Sequence, residues 1–543
     1  MPKLLIPLLL TFLLAACVPA RTEPSPVSTT SPTPQWLHGA MATPPSRPWW
    51  RDAVFYELFV RSFYDSNGDG IGDFNGVTSK LDYLQSLGVN AVWLMPINPS
   101  PSYHGYDVTD YYNVNPQYGT MEDFKRLLAE AHKRNIHVII DMVLNHTSSQ
   151  HPFFADALRG PTSKYYDWYI WSDTGQGNYW HPLMGNPPKY YFGIFSGAMP
   201  DLNYRNPAVT AQMENVIRFW LNDVGVDGFR MDAINRLIEE GDKTENTPST
   251  HEWLKGFYQF YKSADPNAYT VGEVFNAGSS LAKTYTGDQL DQIFNFELAA
   301  STINSVNGGS NSAINSALTF ALQDMPDGNY GTFLTNHDQN RVMSQLYGNV
   351  DKARLAAFLM LTAPGTPFIY YGEEIGMQGE KPDEMIRRPM QWDSTNNSGF
   401  TTGTPWEPPA NDFQTVNVAA QTNDPNSLLS LYRRLISIRN QNSALRAGSL
   451  VLANTNNPNL YAALRMDDSE ALLVFANLQN KTITGYGLTL SNSNLQAGNA
   501  TLSPVFGTGT FAGLTINSNG SFSNFKPLPE IPPYGMYILK IKQ

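Results

Sequence analysis

The chain has 543 residues, a formal net charge of −12 and a single cysteine. Its length accommodates a large barrel with appended domains, and its acidic balance excludes a non-specific nucleic-acid binder, which needs a basic face. One cysteine excludes an intramolecular disulfide and a Cys-rich metal site, while an aromatic content of 12% suits a neutral, polar ligand such as a sugar as well as a large core.

In chain order, an address comes first. Lys3 supplies a positive start, and residues 4–14 are almost wholly apolar but too few to span a bilayer. Ala15 and Ala16 followed by Cys17 resemble a bacterial lipobox. Residues 1–16 are therefore expected to be a lipoprotein signal peptide. Cys17 is the expected lipidation site, anchoring the protein to a bacterial membrane at the cell surface. Residues 17–48 are rich in Pro, Ser and Thr, cannot bury enough apolar surface to fold, and read as an extended tether.

From Trp49 onward, strand and helix signals alternate. Apolar strand-like runs are expected at residues 53–63, 89–95, 136–141, 226–232, 269–273, 292–296, 331–336 and 367–371. Helices are expected at residues 80–87, 121–135, 208–223, 251–263 and 352–361; in the second of these Phe124, Leu127, Leu128 and Ala131 share one face. Strands alternating with helices imply parallel βαβ units, and near-continuous apolar strands imply a sheet buried on both faces. The fold class is α/β: an eight-stranded (β/α)8 TIM barrel in two parts, residues 49–146 and 204–443. Residues 147–203 break the rhythm and read as a subdomain inserted after the third strand. Beyond 444, short apolar runs between Asn/Gly turns indicate a C-terminal antiparallel β domain over 444–543.

Several of these strands end in charge. The third runs into Asp141 and then Asn145 and His146, the fourth into Arg230 and Asp232, the fifth into Glu273, and the seventh into His337 and Asp338. A buried carboxylate is costly unless it is hydrogen-bonded or faces a cleft, and in such barrels the strand C-termini form the active face. Glycosidic cleavage needs a pair of carboxyls there, one protonated to release the leaving group and one ionised to meet the oxocarbenium-like ring. Arg230 lies two residues from Asp232 on the same strand face, where it would favour the ionised form.

The motifs DMVLNH (141–146), GFRMDA (228–233), VGEVF (271–275) and FLTNHD (333–338), in this order, resemble the α-amylase family of retaining glucosidases over residues 50–540. That resemblance implies Asp232 as nucleophile, Glu273 as general acid/base and Asp338 as a third carboxylate gripping sugar hydroxyls. It also implies His146, Arg230 and His337 around the distorted glucose. YHGYD (103–107) is similar to the family's stacking-tyrosine loop, with Tyr106 as platform and Asp107 as a substrate contact, and DEMIR (383–387) is similar to its Asp383/Arg387 pair. RRPMQWD (387–393) and GFTTGTPW (399–406) resemble the oligo-1,6-glucosidase branch, while MPDLN (199–203) resembles members intermediate between that branch and the neopullulanases. In the oligo-1,6 branch Val commonly follows the nucleophile, so Ala233 implies α-1,4 cleavage of starch and maltooligosaccharides. Asn235 and Arg236 replace a Lys-His pair frequent in starch-cleaving members, so the contacts of that pair do not carry over.

DSNGDGIGD (65–73) places oxygen ligands at alternate positions around glycines, as an EF-hand loop begins, but position twelve is Gly76 rather than Glu. It resembles the cation loop of the oligo-1,6 branch, with Asp65, Asn67, Asp69, Ile71 and Asp73 as expected ligands of calcium, or of magnesium. A second calcium using Asn145 is expected between the barrel and the insertion. The competing functional readings are an α-glucosidase or neopullulanase-like enzyme, a transglycosylating glucanotransferase, and a non-catalytic glucan-binding lipoprotein.

Overall fold

Short segments of two to six residues recur between residues 55 and 370 and pair in parallel. In the computed structural model, which describes residues 47–184 and 189–542, they are β1 (Phe55–Leu58), β2 (Ala91–Leu94), β3 (His137–Met142), β4 (Gly228–Met231), β5 (Tyr269–Gly272), β6 (Gln292–Ile293), β7 (Gly331–Thr332) and β8 (Thr366–Tyr370). Cys17, the expected signal peptide and nearly all of the expected tether lie outside the described residues. The strand order is β7-β8-β1-β2-β3-β4-β5-β6. A parallel bridge between Phe294 and Gly331 closes the ring.

Side chains alternate along each strand. One set fills the lumen with an apolar plug that includes Phe55, Trp93, Ile139, Tyr269, Val271, Phe294 and Phe368. Two residues further along the same faces the plug gives way to Glu57, Asp141 and Glu273, which are buried acids at the strand C-terminal end. The opposite set (Tyr56, Val92, Ile140 and Phe229 among them) packs against the surrounding helices in the main core. The chain enters at the other end of the barrel, where the Trp49 ring stacks on His137 at 3.8 Å and Trp50 stacks on Tyr269 at 5.2 Å.

The eight strand signals find their strands, but several are shorter than expected. Residues 53–63 form β1 and then a helical turn, Val60–Phe63; β1 stops where its pairing with β2 ends, at Leu58 opposite Leu94. The segments at 292–296 and 331–336 pair over two residues each and then turn toward the cleft; Asn295 instead caps the helix Phe296–Gly308 through the Leu298 N–H. The helix expected at 208–223 is α-helical over Pro207–Arg218 and π-helical over Phe219–Val224, ending at Gly225 with a positive φ of 92°.

After β3 the chain leaves the barrel and forms the helix Pro152–Ala157 and a small antiparallel sheet of Trp171–Ser172, Lys189–Phe192 and Trp180–Leu183. Bridges His146–Asp201 and Tyr169–Leu202 tie its two ends together. The C-terminal part is a sandwich of a six-stranded and a three-stranded antiparallel sheet. Its strand Leu460–Met466 is buried on both faces: Leu460, Ala462 and Leu464 pack inside the sandwich, and Tyr461 and Ala463 pack on the barrel side.

Candidate active site

Strand alternation delivers the charged residues to one floor. From β4, Arg230 and Asp232 rise on the lumen face; from β3 comes Asp141, and just past β5 comes Glu273. Arg230 is fully buried and is the hub. Its Nη1 donates to Asp141 Oδ1 at 2.9 Å and to Asp232 Oδ1 at 2.6 Å, and its Nη2 lies 2.9 Å from Glu273 Oε2. One guanidinium thus joins the two carboxyls that the sequence singles out for chemistry.

Their surroundings differ. Burial lifts the Glu273 carboxyl to about 7, with Arg230 opposing the rise and Asp232 adding to it. Burial also raises Asp141, to about 6, against the pull of Arg230. Asp338 behaves oppositely: burial works against its charge, yet His337 and Arg387 hold it well below the usual carboxylate range. Arg387 Nη2 donates to Asp338 Oδ1 at 2.9 Å and to Asp383 Oδ2 at 3.0 Å, so this pair is joined to the third carboxylate.

Aromatic and imidazole rings form the walls. Tyr106 stacks on His337 with ring centroids 5.6 Å apart and planes 13° from parallel, and its hydroxyl lies 2.6 Å from His337 Nε2. His146 Nε2 donates to the Tyr106 carbonyl at 3.2 Å, and burial keeps this imidazole below its ordinary pKa. The cleft encloses about 510 Å³ and is lined by Tyr106, His146, Asp232, Glu273, Asp338, Asp383 and Arg387, among others. Arg230 and His337 lie beneath it as its floor. Asp107 is placed differently: it accepts hydrogen bonds from the Ser100 and Ser102 hydroxyls and is absent from the cleft lining. Ala233 lines the cleft in the left-handed region at φ 43°, where a β-branched side chain is least tolerated.

The barrel fold agrees with direct comparison. The alpha amylase catalytic-domain family matches residues 57–448. The chain belongs to the alpha-amylase family of glycoside hydrolases. Among its relatives, alpha-amylase 3 of Dictyoglomus thermophilum is 42% identical over 81% of this chain and 86% of the relative. An oligo-1,6-glucosidase of Parageobacillus thermoglucosidasius is 34% identical over 80% and 91%, respectively. Among solved structures, the alpha-amylase from H. orenii superposes with a TM-score of 0.75 at 38% identity, covering 90% of this chain and 99% of that one.

This family member also places residues in the cleft that its sequence motifs did not single out. Phe195 from the insertion and Phe275, two residues past Glu273, are 49% and 51% exposed and face the cleft. Phe275 was visible in the VGEVF motif; Phe195 lies in a segment without periodicity and gives no signal. Asn235 and Arg236 line the cleft, and Arg236 pairs with Glu245 at 2.8 Å.

The expected cation ligands can be tested on their surroundings. Asp65 Oδ1 accepts the Asn67 and Gly68 N–H groups, Asn67 Oδ1 accepts that of Asp69, and Asp69 Oδ1 accepts that of Ile71. The side-chain oxygens therefore fold back along one turn at alternate residues, an all-oxygen donor set that suits a hard cation. Asp73 also caps the helix Phe74–Ser79 through the Gly76 N–H. Among the described residues no three acidic, cysteine or histidine side chains converge as a metal cluster; a cation in the loop would need amide and main-chain oxygens too. At the second position, Asn145 Oδ1 and Asp201 Oδ2 are buried without a hydrogen-bond partner. Burial pushes the Asp201 carboxyl far up, with Glu239 adding to the rise. Uncompensated oxygens of this kind fit a cation, and Asp201 belongs to the MPDLN motif.

Proposed function

We propose that the protein is an extracellular, lipid-anchored retaining α-glucan hydrolase that cleaves α-1,4 bonds in starch and maltooligosaccharides. The observation that carries the reading is the contrast between two carboxyls on one guanidinium: Asp232 in a close ion pair, and Glu273 lifted by burial into the range of a general acid. Glu273 gives its proton to the glycosidic oxygen as that bond breaks. Asp232 attacks the anomeric carbon from the opposite face and forms a covalent glycosyl-enzyme. Ionised Glu273 then takes a proton from water, which displaces Asp232 with a second inversion, so the α configuration is retained. Asp338, held ionised by Arg387 and His337, accepts hydrogen bonds from sugar hydroxyls, and Tyr106 supplies the stacking face.

The α-1,4 preference rests on Ala233 and on the alpha-amylase relative. Calcium would be held by Asp65, Asn67, Asp69, Ile71 and Asp73 in the loop, and by Asn145 with Asp201 beneath the insertion; it would supply structural charge balance. A transfer reading is favoured by one observation, the exposed Phe195 and Phe275, which offer a second sugar a stacking surface beside Glu273. Proton NMR of the first products and chromatography on maltotriose, pullulan and isomaltose test these points together. Initial α product with shorter oligomers from maltotriose is expected. Initial β product would overturn retention, longer oligomers would indicate transfer, and release of glucose from isomaltose alone would overturn the linkage preference. For the anchor, detergent-phase partition should be lost in Cys17→Ser.

A further inference from the structure

Two buried acids of the floor take no step in the proposed mechanism, Asp141 on Arg230 and Glu57 on His337. Glu57, on β1, is 1% exposed and lies on the lumen face above Phe55. Its Oε1 is 2.6 Å from His337 Nδ1 and also accepts the His337 main-chain N–H at 3.3 Å. On the other side of the ring, His337 Nε2 lies 3.2 Å from Asp338 Oδ2 and 2.6 Å from the Tyr106 hydroxyl. That hydroxyl has a second neighbour, Asp141 Oδ2 at 3.1 Å, to which it donates its proton. The Tyr106 oxygen is then an acceptor toward His337. Both nitrogens of the ring consequently face acceptors, a situation met only when both carry protons.

We propose that Glu57 is a positioning residue that keeps His337 as an imidazolium, so that one N–H is fixed on Glu57 while the other is presented to Asp338, Tyr106 and the sugar. The inference rests on the hydrolase reading of the cleft and assigns the origin of a charge that the cleft uses. With Glu57 neutral, the ring would lose its reason to hold a second proton. The neutral tautomer that keeps Nδ1–H would point its Nε2 lone pair at the Asp338 carboxylate, and the tautomer that keeps Nε2–H would lose the positive charge that attracts Asp338; either way the attraction at the sugar-gripping residue is weakened. Burial opposes a charged imidazole, yet Asp338 and Glu57 together raise His337 to about 9. The other charged or titratable groups facing it are Asp141 from β3, Glu273 from β5, Tyr106 from the loop after β2, and Arg387, whose Nε donates to the His337 carbonyl. Asp141 and Glu273 are both paired with the Arg230 guanidinium, which leaves Glu57 and Asp338, the carboxylates in contact with the two ring nitrogens, as the main sources of negative potential at the ring.

The test is a nitrogen-15 NMR titration of the histidine rings in the whole chain, with the His337 signals assigned by their loss in His337→Gln. In the unmodified protein the His337 ring should stay doubly protonated through pH 8. A ring that is neutral at pH 7 overturns the proposal, whatever the protein hydrolyses. In Glu57→Gln, which keeps volume and an acceptor oxygen, the ring should titrate at least about two pH units lower. Its kcat for maltotriose should fall about ten-fold above pH 7 and recover toward pH 5.5 as the ring reprotonates, with KM changing less. A purely structural role would be met by Gln, so an unshifted titration or a pH-independent loss of rate overturns the proposal. Absence of α-glucan hydrolysis by the unmodified chain would count against the hydrolase reading and leave the titration to decide the role of Glu57.

Discussion

At Glu273, burial and neighbouring charge act in opposite directions, and the balance has consequences in two observables. A carboxyl that titrates at about 7 in the folded chain and near 4.3 when unfolded binds more protons folded than unfolded between those values. Stability therefore falls as pH rises across that window. Gln at this position does not titrate. The Tm of Glu273→Gln relative to the unmodified protein should thus rise between pH 4.5 and 8, even as its activity disappears; a pH-independent difference in scanning calorimetry would contradict the assignment. In the active protein the alkaline arm of kcat/KM should fall near pH 7 as Glu273 loses its proton. Asp232→Asn is expected to lower kcat by at least about a thousand-fold while near-UV dichroism stays native. Arg230 would then keep its contacts with Asp141 and Glu273, so this loss belongs to chemistry rather than to folding.

Elements, rather than residues, explain what was readable in the sequence. Strands buried on both faces must be largely apolar, which is why β1 to β5 and β8 stand out as short aliphatic and aromatic runs, and why the acids at their ends are conspicuous. The two-residue strands β6 and β7 and the π-helical turn Phe219–Val224 depend on ring closure and helix packing, and local pattern overstates their regularity. Glu57 was not singled out from the sequence: it sits within an apolar run, and its partner lies 280 residues away, which no local pattern carries. The joint between barrel and sandwich is a similar long-range feature. The helix Val350–Thr362 ends in buried carbonyls. Arg439 donates to those of Leu361 and Ala363 at 2.9 and 3.0 Å, and Arg465 from the sandwich donates to those of Thr362, Leu445 and Gly448. Arg465→Met keeps the packing of the stem but leaves these acceptors short of donors, at a cost of roughly 3 kcal/mol. A fall in Tm of several degrees with unchanged kcat at 25 °C is expected; an unchanged Tm would show that the joint does not depend on the cap.

For the whole molecule, the sequence offers no thiol beyond Cys17, so the folded body is held without disulfides, by its cores and, in the reading proposed here, by cations. The two candidate cation sites touch different parts of the machine. The Asp65–Asp73 loop grips the segment that follows the Asp383/Arg387 pair: Thr401 Oγ1 donates to Asp65 Oδ2, and the Trp406 N–H donates to the Gly70 carbonyl at 2.9 Å. Trp406 in turn stacks on Tyr103 at 5.2 Å, three residues before Tyr106. Asn145 and Asp201 sit instead at the root of the insertion that carries Phe195. A cation that binds only the folded chain adds about 2.7 kcal/mol at a hundred-fold excess over its Kd. EDTA should therefore lower Tm, and added calcium should restore it; no shift after prolonged dialysis would overturn both sites. Variants then separate them. Asp69→Ala should abolish part of the EDTA effect with KM for maltotriose nearly unchanged, because Asp69 is at the exposed end of the loop. Asp201→Asn should abolish the rest and raise KM, because the wall bearing Phe195 and the His146–Asp201 bridge would lose their common anchor. If both variants moved Tm and KM alike, a single cation or a general loosening would explain the result, and the assignment of separate sites would fail.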